Sequence, residues 1–445
     1  MLIIIGILVY AQTLFYPFVH DDVVFIQKNP AIQTLDLKEI FLKTSDAPAK
    51  GLINLYYRPV LDVVYRLEYQ LFKFNPSGYH LVNILLHIGN AVMILFLFRN
   101  FFKNISLAFM AALIFLIHPI QTEAVACIVG ISNLLCVFFL LLSLLMVQTR
   151  EEKGRYVLSL ALFLTALLTK EQAVMLPVLL IFCERMINKN SWRESLKAVS
   201  GHMAILLFYL LFRKIVIGAA GVDLGSWEEL KLRMMAIPAT LLMYLRLIVA
   251  PYDLHYYRST AILRPGLKPM SGLSGLVVLT FGVVRNFKAG ERNLFLFGLG
   301  WFLITLLPTL NILPLINEYS LILTSEHFLY LPVIGVVMMA AAGFEHLRTK
   351  VRVLSHPAVM TGFIVLLTVG YFSLTVNQNT YWRSEVALFE RMMKYEKDFA
   401  RGHLLLARAY YFDHQLPKAA DHYENALKRM NYYREHVSDL KVKEF

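Results

Sequence analysis

The chain has 445 residues, of which 58% are apolar and only 17% charged. Soluble domains use roughly 45–50% apolar residues, so a soluble globular protein is excluded. The formal net charge of +12, from 43 Lys and Arg against 31 Asp and Glu, fits basic loops that anchor membrane spans and does not call for nucleic acid.

In chain order, the first apolar run lies at about 2–15; it has no basic leader and no small-residue cleavage signature, so it reads as a short span and not a removable signal. Further runs lie at about 80–98, 105–118, 130–148, 155–169, 172–187, 199–212, 272–285, 293–308, 328–347 and 357–376, for about eleven crossings. A stretch at about 235–250 would be a twelfth, but counting it inverts the basic loops that follow. Taken as interfacial or re-entrant, it leaves Arg99 with Lys103, Arg150 with Lys153 and Arg155, and Arg185 to Lys197 on the same side as Arg285 to Arg292 and Arg348 to Arg352. The expected topology is N-terminus in and C-terminus out. Cys127, Cys136 and Cys183 sit in or beside these runs without metal-ligand or disulfide-framework spacing.

Two long regions then face outward, at about 16–79 and about 213–271, and loops of that size are seldom mere connectors. The first holds Phe-Val-His-Asp-Asp (18–22), a helix-like pattern over 35–42, and Tyr-Tyr-Arg-Pro (56–59) before another amphipathic stretch. These predict helices lying on the membrane surface. His80, Asn83, His87 and Asn90 recur at helical spacing along the second span, a polar stripe that predicts interhelical hydrogen bonds. Asn104-Ile-Ser106 matches a glycosylation pattern, but the topology puts it inside.

The predicted membrane domain covers 1–376 and a tail covers 377–445. Beyond Trp382 the chain turns charged and helical, and 400–431 fits a tetratricopeptide unit of about 34 residues. Leu406, Ala407, Tyr410, Ala419, Tyr423 and Ala426 fall on its packing positions. Residues 382–394 read as the second helix of a degenerate preceding unit, and 431–445 as the start of a following one. One complete repeat cannot bury its own faces, so the tail is expected to pack on the membrane domain or on a partner.

Asp21, Asp22, Arg58, Glu123, Lys170, Glu171, Arg213 and Glu326 all fall at outward loop or helix ends. Ionisable groups near a membrane are costly unless paired or hydrated, so their convergence points to a functional cavity, with snorkelling or ion pairing as the structural alternative for each. In the Asp21-Asp22 pair one carboxylate suits a general base and the other an orienting group or metal ligand; a helix cap explains them equally well. Arg58, as a fork, and Lys170, as a point charge, suit a phosphate leaving group, and Arg213 adds a third cation. His118 ends the third span and Glu123 follows it, where a polar turn would account for both.

These landmarks resemble, in order along nearly the whole chain, the transmembrane and tetratricopeptide repeat containing O-mannosyltransferases and their bacterial relatives, within the GT-C glycosyltransferases. The motifs are Phe18-Val-His-Asp-Asp22, Tyr57-Arg-Pro59, Asn75-Pro-Ser-Gly-Tyr-His-Leu-Val-Asn83, His118-Pro-Ile-Gln-Thr-Glu-Ala-Val-Ala126 and Thr169-Lys-Glu-Gln172. Tyr244-Leu-Arg-Leu247, Glu326-His-Phe-Leu-Tyr-Leu-Pro332 and Tyr381-Trp-Arg383 follow. The resemblance implies an all-α, multi-span fold with its site at the outer surface and a polyprenyl-phosphate-linked, mannose-like sugar as donor. It implies Asp21 or Asp22 as the base for an acceptor hydroxyl, Arg58, Lys170 and Arg213 at the departing phosphate, and His118, Glu123, Glu171, Glu326 and His327 around the site. It also implies inversion in a single displacement. A divalent metal, if used, falls to Asp21 and Asp22. Ile131, Ser132 and Asn133 stand where relatives carry an Arg and then an acidic residue, and His327 stands where they carry Arg.

The expected function is therefore sugar transfer to an extracytoplasmic acceptor, a protein Ser or Thr hydroxyl, with the tail as a site for protein or peptide. A non-catalytic subunit that binds a lipid carrier or partner protein is the second reading, supported by those departures. A transporter is disfavoured because the charges cluster at one face and not at midplane. The expected location is a bacterial inner membrane with a periplasmic site, or alternatively the endoplasmic reticulum membrane.

Overall fold

A computed structural model describes residues 1–42, 57–148, 153–217, 227–258, 267–310 and 324–436. Tyr56, Arg150, parts of both long outward regions and the residues after His436 lie outside these. Among the described residues the chain is helical throughout, with one isolated bridge between Arg258 and Thr324.

Helix α1 (Leu2–Tyr10) runs into a 3-10 turn and the 18–22 motif, and a short helix α2 (Leu37–Leu42) follows. Helix α3 (Pro59–Phe72) begins with Pro at its first turn, where no amide hydrogen is needed. It buries Leu61, Tyr65 and Glu68 on one face and exposes Leu67 and Leu71 on the other. Asn75 caps the long helix α4 (Pro76–Phe102) through Ser77 N–H, and Asn104 caps α5 (Ile105–Ile117) in the same way. After α6 (Thr122–Ala126), Gly130 turns the chain into α7 (Ile131–Val147). A Cβ there would strike the Ala124 carbonyl, so only glycine fits.

Helices α8 (Lys153–Leu167), α9 (Leu176–Met186), α10 (Trp192–Ile217) and α11 (Trp227–Val249) follow, then α12 (Leu267–Val284), α13 (Ala289–Leu306), α14 (Val333–Lys350) and α15 (Pro357–Asn379). Each apolar run read from the sequence thus folds as helix. Five helical segments are long and apolar enough to cross a membrane: Pro76–Phe102, Ile128–Val147, Trp192–Val216, Ala289–Leu310 and Ala358–Arg383. A sixth is added if α5 and the bent segment after it form one span. The other runs expected to cross make shorter helices or break into 3-10 turns, as at 2–15 and 171–186. Helix α11 is not among the spans. It carries Glu228, Glu229, Lys231, Arg233 and Arg246 and contains Pro238.

Three of the four residues of the polar stripe on α4, all but His80, are spent on interhelical hydrogen bonds. Asn83 donates to the carbonyls of Val125, Cys127 and Ile128, and Asn90 donates to that of Leu134. His87 spans from the Leu116 carbonyl at 3.0 Å to the Tyr330 hydroxyl at 2.8 Å. Such bonds satisfy buried polar groups while tying α4 to three neighbouring segments. Helices α13 and α14 meet at Gly298 and Gly335, where a Cβ on Gly298 would stand 2.6 Å from the Gly335 carbonyl oxygen.

The tail comprises α16 (Glu385–Tyr395), α17 (Ala400–Phe412) and α18 (Leu416–His436). The last two pack against each other as a helical hairpin. Leu406, Ala407, Tyr410, Ala419 and Ala426 are buried, while Tyr423 is exposed. The hairpin does not stand apart. Leu388, Phe389, Met392 and Leu406 share one apolar cluster with Val19, Ala126, Cys127 and Tyr256 of the membrane domain.

Candidate functional site

The 18–22 motif turns sharply because His20 adopts a left-handed conformation at φ 53°, uncommon for a side chain with a Cβ. The turn sends the two aspartates apart. Asp22 points inward with 1% exposure, accepting from Val129 N–H at 2.9 Å, from its own turn at Val19 N–H (3.2 Å) and from the Cys127 thiol at 3.5 Å. Burial pushes its carboxyl up to about 7, against the pull of the Val129 and Val19 amides. Asp21 points outward, 41% exposed at its side chain, with Tyr256 hydroxyl 3.4 Å from Oδ2 and His20 Nε2 3.4 Å from Oδ1. One aspartate is a buried brace and the other a presented carboxylate.

The second group forms where α3 begins, α8 ends and α10 ends. Arg58 grips Glu171 with both edges of its fork, Nε at 3.0 Å and Nη2 at 2.7 Å from Oε2. Burial would raise the Glu171 carboxyl, but Arg58 and Arg213 outweigh it and hold it below its ordinary value. Lys170 is 4% exposed, and its Nζ donates to Asn133 Oδ1 at 2.6 Å. Asn133, read in the sequence as the loss of an acidic residue, thus positions the lysine through a neutral acceptor. Arg58, Lys170 and Arg213 against Glu171 leave this group net positive.

Asp62 lies one turn into α3. Burial pushes it up to about 6 against the opposing charges of Arg66 and Arg58. Tyr65, a turn further on, is buried within the fields of Glu68, Cys127, Asp22 and Asp62.

A third group stands beside Asp21. His327 donates to Glu123 through both its backbone N–H (3.0 Å) and its ring Nδ1 (2.8 Å). The adjacent Glu326 accepts from His255 N–H at 2.6 Å and from Arg258 Nη2 at 3.0 Å. Arg258 also donates to the Asp253 carbonyl, and Asp253 is bound by the fork of Arg246 at 2.8 and 3.0 Å. A guanidinium therefore does reach the Glu326 carboxylate, supplied by Arg258 while His327 serves Glu123. Arg258, Asp253, His255 and Tyr256 were not read as site residues. The only sequence signal is the aromatic and basic Tyr256-Tyr257-Arg258 run near the end of the second long region between apolar runs.

His118 is placed differently. Its Nε2 donates to the Ile248 carbonyl at 2.8 Å and its Nδ1 accepts from Ile120 N–H at 3.1 Å, so both nitrogens serve the backbone. Among the described residues, no three His, Cys, Asp or Glu side chains come together in a way that could hold a metal ion. Asp22, one of the two residues assigned to a metal if one is used, spends both oxygens on donors of its own chain.

Residues 58–217 match the family described as dolichyl-phosphate-mannose-protein mannosyltransferase. A protein O-mannosyl-transferase of Caenorhabditis elegans is 26% identical over 447 residues, covering 96% of this chain and 62% of its own length. A protein O-mannosyl-transferase of Homo sapiens is 27% identical over 403 residues, covering 75% of this chain and 52% of its own, and one of Mus musculus is 26% identical over 453 residues, covering 89% and 48%. The chain thus spans about half to three fifths of the length of these relatives. They are animal proteins, and a bacterial inner membrane finds no support among them. No solved structure matches the chain.

Proposed function

We propose that the chain, matched over residues 58–217 by the dolichyl-phosphate-mannose-protein mannosyltransferase family and similar over most of its length to animal protein O-mannosyl-transferases, transfers a mannose-like sugar from a polyprenyl-phosphate carrier to a protein hydroxyl at the membrane surface. The observation that carries this reading is the asymmetry of the two aspartates: Asp22 is buried and braced, while Asp21 is presented beside Tyr256 and His20.

In the proposed reaction Asp21 accepts the proton of a Ser or Thr hydroxyl as that oxygen attacks the anomeric carbon. The bond from that carbon to the phosphate oxygen breaks, and the lipid phosphate leaves with the bonding pair, so configuration inverts. Arg58, Lys170 and Arg213 offer positive charge for the phosphate before the reaction begins, which costs no reorganisation at the transition state. Glu171 holds the Arg58 fork in the absence of phosphate, so donor binding must share or displace it. The Glu123–His327 and Glu326–Arg258 pairs hold the segment that bears Tyr256 against Asp21. No metal is assigned a step. The membrane that fits the animal relatives is that of the endoplasmic reticulum, with the site on the lumenal face.

A second reading, a non-catalytic subunit, draws on one observation: the Arg58 fork is already filled by Glu171. Purified protein in lipid nanodiscs, given dolichyl-phosphate-mannose and a Ser/Thr-rich peptide, separates the two. Transfer that is lost in Asp21→Asn with unchanged folding supports the enzyme. No transfer by the wild type, or full transfer by Asp21→Asn, overturns it.

A further inference from the structure

The tail and the aspartate turn meet at one hydrogen bond. Glu385, first residue of α16, accepts from the backbone N–H of His20 with Oε1 at 3.0 Å, across 365 positions of sequence. Ser384 caps the same helix through Ala387 N–H, which fixes the helix end and with it the place of Glu385. Arg408 of α17 reaches Glu385 Oε1 at 3.7 Å, so two of the three tail helices bear on that carboxylate.

His20 is the residue that most needs holding. Its φ of 53° lies in the left-handed region, which a residue with a Cβ adopts uncommonly and at some cost in strain. The contacts that hold it come from two sides. The imidazole sits edge-on between Phe389 of α16 and Tyr256 of the membrane domain, 5.2 Å from each ring centre. The amide is taken by Glu385. This conformation is what parts the two aspartates, leaving Asp22 inside and the Asp21 carboxylate outside.

We propose that the tail is a working part of the reaction site, with Glu385 a positioning residue that holds His20 in its left-handed conformation and thereby aims Asp21. This rests on the reading of Asp21 as the base. A tail that served only to recruit an acceptor would need no bond into the turn that carries the base, whereas a shift in α16 on acceptor binding would here move Asp21 directly.

The test compares Glu385→Ala with Glu385→Gln in full-length protein in nanodiscs. Gln keeps a carbonyl oxygen for the His20 amide and loses the charge that faces Arg408. Transfer from dolichyl-phosphate-mannose to a Ser/Thr-rich peptide is measured alongside thermal unfolding, and hydrogen exchange is followed in the peptide spanning 16–25. Glu385→Ala is expected to lower kcat about tenfold with donor KM unchanged, to raise exchange at the turn and to unfold at the same temperature, while Glu385→Gln restores kcat. An unchanged kcat, a loss that Gln does not restore, or a turn that exchanges no faster overturns the proposal; so does a loss explained wholly by a lower unfolding temperature. If Asp21→Asn retains transfer, the reading of the base fails by itself. The exchange rate at the turn, which needs no activity, still reports whether Glu385 holds it.

Discussion

Arg58 and Glu171 lie 113 positions apart and meet as a two-pronged pair, with Glu171 2% exposed and Arg58 17%. A carboxylate buried in this way is costly without its partner, and so is the guanidinium without the carboxylate; removing one side of a buried pair typically costs about 3–5 kcal/mol. Glu171→Gln is therefore expected to lower the unfolding temperature. It also frees the fork for an incoming anion, so the same variant should bind polyprenyl phosphate more tightly than wild type and recover stability when that lipid is added. Thermal unfolding with and without the lipid checks both. A variant equally destabilised and no better at binding would mean that the pair is a structural strut and the phosphate binds elsewhere.

The neighbouring aspartates should separate stability from chemistry. Asp22→Asn keeps one oxygen for Val129 N–H but turns an amide NH2 toward Val19 N–H, leaving two donors facing each other in a buried turn. A buried donor without an acceptor costs about 1–3 kcal/mol, enough to lower the unfolding temperature by several degrees. Asp21→Asn makes no such conflict at its 41% exposed side chain, and its effect on unfolding should stay within about 0.5 kcal/mol. Unfolding curves for the two variants check this, and equal destabilisation would contradict the division of roles.

The crossing of α13 and α14 gives a test of packing that is independent of the site. A Cβ on either Gly298 or Gly335 would run into the carbonyl of the other, and backbone cannot swing aside as a side chain can. Gly298→Ala or Gly335→Ala should destabilise by about 1–3 kcal/mol. Gly290, in the first turn of α13, has open space around it, so Gly290→Ala should be neutral or stabilising by up to about 1 kcal/mol. If all three glycines tolerate alanine equally, α13 and α14 do not cross at backbone contact.

The helices were legible because long apolar runs and a polar stripe at helical spacing are local properties of sequence. The Asp21-Asp22 pair was legible too, but not which of the two is presented. That depends on the φ of His20 and on an amide from Val129, more than 100 positions away. Asn133 was read as a lost acid, because the sequence carries no sign that its carbonyl oxygen would meet Lys170. Arg258 was overlooked for a similar reason: its value lies in reaching Glu326, and the two are brought together only by the fold. That the tail packs against another part of the molecule follows from a single repeat being unable to bury its own faces, but its grip on the 18–22 turn has no local signature at all.

Glu68 supplies the clearest dependence on pH. It lies on the buried face of α3 at 4% exposure, near Tyr65 and Tyr79, and neither carboxyl oxygen has a hydrogen-bond partner among the described residues. Burial pushes its carboxyl from the ordinary 4.5 up to about 8, so at neutral pH the folded protein holds it protonated. A folded state that binds this proton more tightly than the unfolded one loses stability as pH rises. The contribution is therefore fully present below about 4.5, falls through the interval and is gone above about 8. Glu68→Gln, which mimics the protonated acid at every pH, should flatten this slope and raise the unfolding temperature at pH 8 relative to wild type, with little difference at pH 5. Unfolding temperatures of both proteins across that range check the sign. Parallel curves would mean that Glu68 finds a partner or water on ionisation and that α3 does not seal it from solvent.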